Sequence, residues 1–60
     1  MKKTEEICII EDNVSIRKLF STVLEKSGFK TIGFSEGKEA LNWLNEHLPK
    51  ALIIDIMLPD

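Results

Sequence analysis

Ile7-Cys8-Ile9-Ile10-Glu11-Asp12-Asn13 is the stretch that decides the architecture. Its first four residues are apolar and mostly β-branched, with no polar alternation. Such a run has no face to give to water, so it predicts a strand covered on both sides. Glu11, Asp12 and Asn13 end it abruptly, and the period changes. Ile16, Leu19, Phe20, Val23 and Leu24 form one helical stripe, while Arg17, Lys18, Ser21, Glu25 and Lys26 occupy the other face. Asn13 suits the N-cap of this helix, and Gly28 suits a left-handed stop.

Downstream, Phe29 to Phe34 alternates, with Lys30, Ile32 and Phe34 against Phe29, Thr31 and Gly33. This pattern predicts a short strand with one face less buried, at a sheet edge. Ser35 is placed to cap a second helix beginning near Glu36. Ala40, Leu41, Leu44 and Leu48 would form its inner face, Trp43 its flank, and Pro49 would close it. Ala51 to Ile56 reads as a third strand, apolar until Asp55 interrupts it, and Met57-Leu58-Pro59-Asp60 as a turn. Strands alternating with helices of this length imply right-handed crossovers and a parallel sheet. Three strands and two helices are too few to cover both faces of such a sheet. On size alone the chain resembles half of a doubly wound α/β domain.

Composition agrees. Sixty residues with 43% apolar and 30% charged side chains are ordinary for a globular protein. A chain this short buries only roughly 60% of its unfolded surface and is marginal without staples. A net charge of -2 argues against binding nucleic acid through bulk electrostatics. The one cysteine, Cys8, excludes an intrachain disulfide and suits a reducing cytoplasm. No uninterrupted apolar run exceeds four residues, so no segment could span a membrane, and MKKTEE leads into no signal-peptide core.

In open parallel sheets, chemistry gathers beyond the carboxyl ends of the strands where strand order reverses. With an order of 2-1-3, that point lies between the first strand, ending in Glu11-Asp12, and the third, ending in Asp55. Three carboxylates would converge there. They repel one another unless a cation sits among them, and an all-oxygen cluster suits Mg²⁺. Asp55 could then act as a carboxylate nucleophile toward a phosphoryl group, forming an acyl phosphate while the metal screens the two anions.

At these residues the chain resembles a known family. Ile7 to Asn13 and Leu52-Ile53-Ile54-Asp55-Ile56-Met57-Leu58-Pro59-Asp60 are similar to the two acidic motifs of response-regulator receiver domains, the modules of two-component phosphorelay signalling. Gly37-Lys38-Glu39-Ala40-Leu41 resembles the family's second-helix start. The resemblance covers the whole chain, residues 1–60, as the N-terminal half of a receiver domain. It implies a flavodoxin-like doubly wound parallel sheet, truncated to β-α-β-α-β with strand order 2-1-3. It also implies that Asp12 is the main Mg²⁺ ligand, with Glu11 binding through water or assisting. Asp55 would accept phosphate from a sensor histidine kinase or phosphotransfer protein. The backbone carbonyl of Met57 would complete the metal site, and Pro59 would shape the loop. Lys50 stands where the family often has an acidic residue, and Ala51 is small for a strand start. A receiver assists its own phosphorylation and is not a turnover enzyme. The hydroxyl residue of the family's fourth strand and the lysine of its fifth are not in this sequence, so the site is about half a site.

Plainer readings stand beside these. Asp55 could simply end a strand. Glu11-Asp12 could be a solvated loop that favours the following helix N-terminus. Cys8 reads as a small buried apolar residue, His47 as a cation at the end of the second helix, and Trp43 as flank packing. Two other functions compete with the receiver. One is a half-fold that self-associates through its open third strand, as a homodimer or an element-exchanged assembly. The other is an aspartyl phosphohydrolase, disfavoured because Met57 stands where a second Asp would be expected.

Overall fold

The computed structural model describes residues 2–54. In chain order its elements are β1 (Lys2–Lys3), β2 (Glu6–Ile10), α1 (Val14–Lys26), β3 (Lys30–Phe34), α2 (Gly37–Leu44), β4 (His47–Leu48) and β5 (Ala51–Ile54). The apolar run is the middle strand of a three-stranded sheet of order β3-β2-β5. Counting β2, β3 and β5 as the first, second and third main strands, this is the order 2-1-3. Both pairings are parallel: Ile7 lies opposite Thr31 and Ala51, and Ile10 opposite Phe34 and Ile54. The first crossover runs from β2 to β3 and the second from β3 past β2 to β5, in opposite directions across the sheet. A right-handed path for each puts α1 and α2 on opposite faces. That is the α/β doubly wound arrangement expected from the residue pattern.

The core follows from this layering. Cys8 and Ile9 are fully buried, with Ile7 nearly so, because β2 has a strand on either side. Ala40 is the buried residue of α2. The covered strip of α1 is narrower than its apolar stripe. Ile16, Phe20 and Leu24 are half-buried, but Leu19 and Val23 are 60% and 55% exposed. Ser21 and Arg17 take part in the packed face instead, and Thr31 of β3 donates a hydrogen bond to Ser21 or Glu25, each at 3.2 Å. Helix α1 lies against β3 and β2, and its polar flank is the one turned to β3.

Both ends of α1 match their sequence signals. The Asn13 side chain accepts a hydrogen bond from the Ile16 N–H at 3.0 Å, as an N-cap should. Gly28 has φ +94°, and the helix closes with Gly28 N–H bonded to the Glu25 carbonyl and Phe29 N–H to the Leu24 carbonyl. These two bonds form a Schellman stop, which needs a residue free to enter the left-handed region.

The second helix differs from expectation at both ends. Glu36, not Ser35, is its N-cap and makes no side-chain capping bond, while the Ser35 hydroxyl bonds the Glu39 carboxylate at 3.2 Å. The helix stops at Leu44, so His47 and Leu48 are not helical. They form β4, which pairs in parallel with β1. Lys2 N–H bonds the Glu46 carbonyl at 2.9 Å and Thr4 N–H the Leu48 carbonyl at 3.0 Å. Pro49 keeps Leu48 out of the helical region, so the helix cannot run on to Leu48 as its apolar spacing suggests. The backbone freed there finds its partners in the N-terminal residues. Leu41 and Leu48 are exposed rather than on an inner face. The third main strand is seen as Ala51–Ile54; its expected continuation through Asp55 and Ile56 lies outside the described residues.

Candidate functional site

The carboxyl end of β2 carries Glu11 and Asp12. The two carboxylates, adjacent in sequence, are put to different uses. Glu11 is buried at 2% exposure, and Asp12 is exposed. Glu11 is pinned on three sides. Its N–H bonds the Phe34 carbonyl at 3.0 Å, continuing the ladder one residue past β2. Its Oε1 accepts the Asn13 N–H at 3.0 Å. Its main-chain carbonyl accepts a hydrogen bond from Arg17 Nη1 at 2.7 Å. A carboxylate removed from water is costly unless donors meet it, and here the turn's own backbone supplies one. Asp12 is thereby held at the crest of a turn whose two flanking residues are tied down.

Arg17 is the residue at this turn that periodicity misassigned. A charged side chain off the apolar stripe reads as solvated, yet Arg17 is half-buried and lies across β3. A Cβ built on Gly33 would meet Arg17 Cδ at 3.0 Å and Cγ at 3.2 Å. The available signal was the glycine: inside a strand, it marks a close approach by something else.

Asp55 and Met57, the remaining expected members of the site, lie outside the described residues. Among the described residues no group of three His, Cys, Asp or Glu side chains gathers for a metal, and no enclosed pocket is found. What the described residues contribute is chemically suited to a hard cation: carboxylate oxygen only, with the Asp12 carboxylate facing solvent at an open strand end. On that donor set, Glu11 and Asp12 fit Mg²⁺.

The other singled-out side chains have structural roles. Cys8 is wholly buried, and burial first, then the charge of Glu6, pushes its thiol above the ordinary 9.0. The His47 ring stacks on Trp43 with centroids 4.5 Å apart and planes 5° from parallel. Its Nδ1 lies 2.9 Å from the Trp43 carbonyl oxygen, which can only accept, so Nδ1 carries the proton. Trp43 also meets Phe34, with ring centroids 5.9 Å apart. Lys50 reaches Glu5 at 3.7 Å and lies 5.9 Å from the Phe29 ring centroid; both partners are on the surface, away from the acidic turn.

Comparison with known proteins bears on the whole chain. The family described as the response regulator receiver domain matches residues 7–60. The polar-differentiation response regulator DivK of Brucella ovis is 42% identical over 57 residues, covering 95% of this chain and 46% of DivK. The DivK of Brucella suis gives the same figures. The probable transcriptional regulator ycf27 of Guillardia theta is 37% identical over 59 residues, covering 98% of this chain and 23% of that protein. The chain therefore spans about half the length, or less, of these curated relatives. No solved structure matches it significantly. With the parallel 2-1-3 sheet, the acidic turn at the end of its middle strand and a family match over nearly the entire sequence, the chain belongs to the response regulator receiver domain family.

Proposed function

We propose that residues 1–60 are the N-terminal half of a receiver domain, and that Asp55 is its phosphoacceptor. The observation that carries this reading is the register of β2 and β5. Ile10 pairs with Ile54, and the residues that follow these two in sequence are Glu11 and Asp55. A parallel pair in this register brings the acidic turn and the nucleophile's strand to the same end of the sheet. The phosphodonor is a phosphohistidine on a sensor histidine kinase or phosphotransfer protein. The Asp55 carboxylate attacks phosphorus, the donor's P–N bond breaks, and an acyl phosphate forms. The domain assists this transfer without being a turnover enzyme.

Asp12 is the main Mg²⁺ ligand in this reading, with Glu11, Asp55 and the Met57 carbonyl as the further members. Mg²⁺, when bound, offsets the negative charge shared by the carboxylates and the phosphoryl group. Glu11 builds the turn, Asn13 closes it onto α1, and Asp12 presents its carboxylate to the strand end. Among the described residues no helix is long and apolar enough to cross a membrane, and Cys8 is a free thiol; both support a cytoplasmic setting.

The test is phosphorylation of the complete receiver domain by acetyl phosphate with Mg²⁺, read by site-mapping mass spectrometry. Modification at Asp55 is expected. The sixty-residue chain, lacking the family's later lysine and hydroxyl, is expected to show little. Modification of the complete domain at another residue overturns the assignment.

A further inference from the structure

Three bonds meet at Glu11, and one of them comes from a residue seventeen places into the chain whose side chain has to cross a strand to reach it. Arg17 stands on the first turns of α1, on the flank that faces β3. Its stem passes over Gly33 with 3.0 Å between Cδ and the position a Cβ would take. Its Nη1 ends 2.7 Å from the Glu11 carbonyl oxygen. That oxygen belongs to the first residue past β2, where the β2–β3 ladder is giving out. Without the guanidinium, the peptide joining Glu11 to Asp12 would lose this fixed donor.

We propose that Arg17 is a positioning residue for the acidic turn, and that Gly33 acts through Arg17 by keeping open the lane its stem occupies. The physical argument has two parts. A hydrogen bond from a charged donor is stronger than a neutral one and fixes direction as well as distance. The bond is made to the peptide plane that precedes Asp12, so it sets where the Asp12 backbone begins. The opposite end of that turn is already fixed, through Asn13 N–H on Glu11 Oε1 and Ile16 N–H on Asn13 Oδ1. The glycine has no other local reason. Its backbone lies within an ordinary strand, and its φ is not in the left-handed region. Glycine there sacrifices strand stability, which the lane over it explains.

The proposal rests on the reading of Glu11 and Asp12 as the metal-binding pair, and the experiment separates the two. Four variants of the sixty-residue chain are compared with the parent: Arg17→Met, which keeps a stem and loses the donor, Arg17→Lys, Gly33→Ala, and Gly33→Ala with Arg17→Met. The first readout needs no metal. Hydrogen exchange of the Asn13 amide is followed against the Cys8 and Ile9 amides of β2. Arg17→Met is expected to speed exchange at Asn13 by about tenfold, the scale of one charge-assisted hydrogen bond, relative to β2. Arg17→Lys should recover part of this. Gly33→Ala should speed Asn13 exchange while leaving β2 protection equal or higher, because alanine suits a strand better than glycine. A merely structural glycine would not move those two readouts in opposite directions. In the double variant, Gly33→Ala should add nothing to Arg17→Met. The second readout is Mg²⁺ affinity by calorimetry, expected to weaken about three- to tenfold in Arg17→Met and in Gly33→Ala. Asn13 exchange unchanged relative to β2 in Arg17→Met, or a full Gly33→Ala effect on the Arg17→Met background, overturns the proposal. If Arg17→Met does not fold, Arg17→Lys and Gly33→Ala carry the same comparison. Absence of Mg²⁺ binding in the parent chain overturns the metal reading alone, while the amide readout still decides the role of Arg17.

Discussion

At the scale of single residues, the two neighbouring carboxylates separate into a builder and a presenter. Asp12 is exposed and lies in none of the hydrogen bonds that close the turn, so Asp12→Asn should leave the fold intact. It should weaken Mg²⁺ binding by about tenfold or more, since the ligand loses its charge; calorimetry on the folded variant decides this, and unchanged affinity removes Asp12 from the site. Glu11→Gln should behave differently, costing stability as well, because the Glu11 carboxylate is inside the structure. Cys8 supplies a pH dependence. Its thiol titrates above 9.0 in the folded chain because burial, and then Glu6, disfavour the thiolate. The unfolded chain therefore releases the thiol proton first as pH rises. The contribution is fully present below the unfolded pKa and is lost as pH climbs from about 9 through the raised folded value. The urea midpoint should fall over that window in the parent, and the fall should be missing in Cys8→Ala, whose stability is lower throughout. The acidic pair and the buried cysteine were legible because residue type and a four-residue apolar run determine them. Arg17 was not. A helical wheel sends every charged residue to water, and only the missing side chain at Gly33, together with a strand-end carbonyl in need of a donor, turns it inward.

At the scale of elements, α1 shows local signals and tertiary packing in agreement, and α2 shows them in conflict. Asn13 and Gly28 bracket α1 as their chemistry requires, which is why both its ends could be read from sequence. Gly28→Ala should cost about 1 kcal/mol, since φ +94° puts a Cβ in a strained region with no compensating contact nearby. Asn13→Ala should cost a similar amount, about 1 kcal/mol, by removing the bond to Ile16 N–H. Urea unfolding of the two variants checks both figures. Helix α2 has no comparable cap. Its apolar spacing could be extended to Leu48 on paper, and Pro49 looked like the terminator. The helix ends at Leu44 instead: the proline keeps its predecessor Leu48 extended, and His47–Leu48 pair with Lys2–Lys3. A pairing between residues forty-five apart leaves no trace in local periodicity. His47 then stacks back on Trp43, so the β1–β4 pair is fastened to the end of α2 by a ring contact and a hydrogen bond. Shortening the chain by Lys2 and Lys3 should release that fastening, seen as a change in Trp43 fluorescence without loss of the β2–β3–β5 sheet.

At the scale of the whole molecule, the topology was legible and the extent of burial was not. Alternating strands and helices fix a parallel sheet with the apolar run in its middle, but periodicity marks which side chains want burial and cannot say whether anything covers them. Leu19 and Val23 on α1, Leu41 on α2, and Leu52 and Ile54 on β5, at 45% and 50% exposure, remain in water. The two edges of the sheet differ. The β3 edge begins with Lys30 and contains Gly33, features that discourage pairing. The β5 edge, Ala51–Ile54, has no charge and no glycine, and among the described residues it bonds only to β2. A second copy meeting β5 against β5 about a two-fold axis normal to the sheet would run antiparallel at the join. It would make one six-stranded sheet and bring Leu52 and Ile54 of the two copies to the join. Exchange of an element between copies would reach the same burial. The expected outcome is that the sixty-residue chain is ordered as a dimer or higher assembly, with a melting temperature that rises with protein concentration. A charge placed on the edge, as in Leu52→Lys, should lower the association at every concentration while leaving the net charge near zero. Sedimentation across a dilution series decides it: a compact species at monomer mass, unfolding cooperatively at a temperature independent of concentration, would sink the idea.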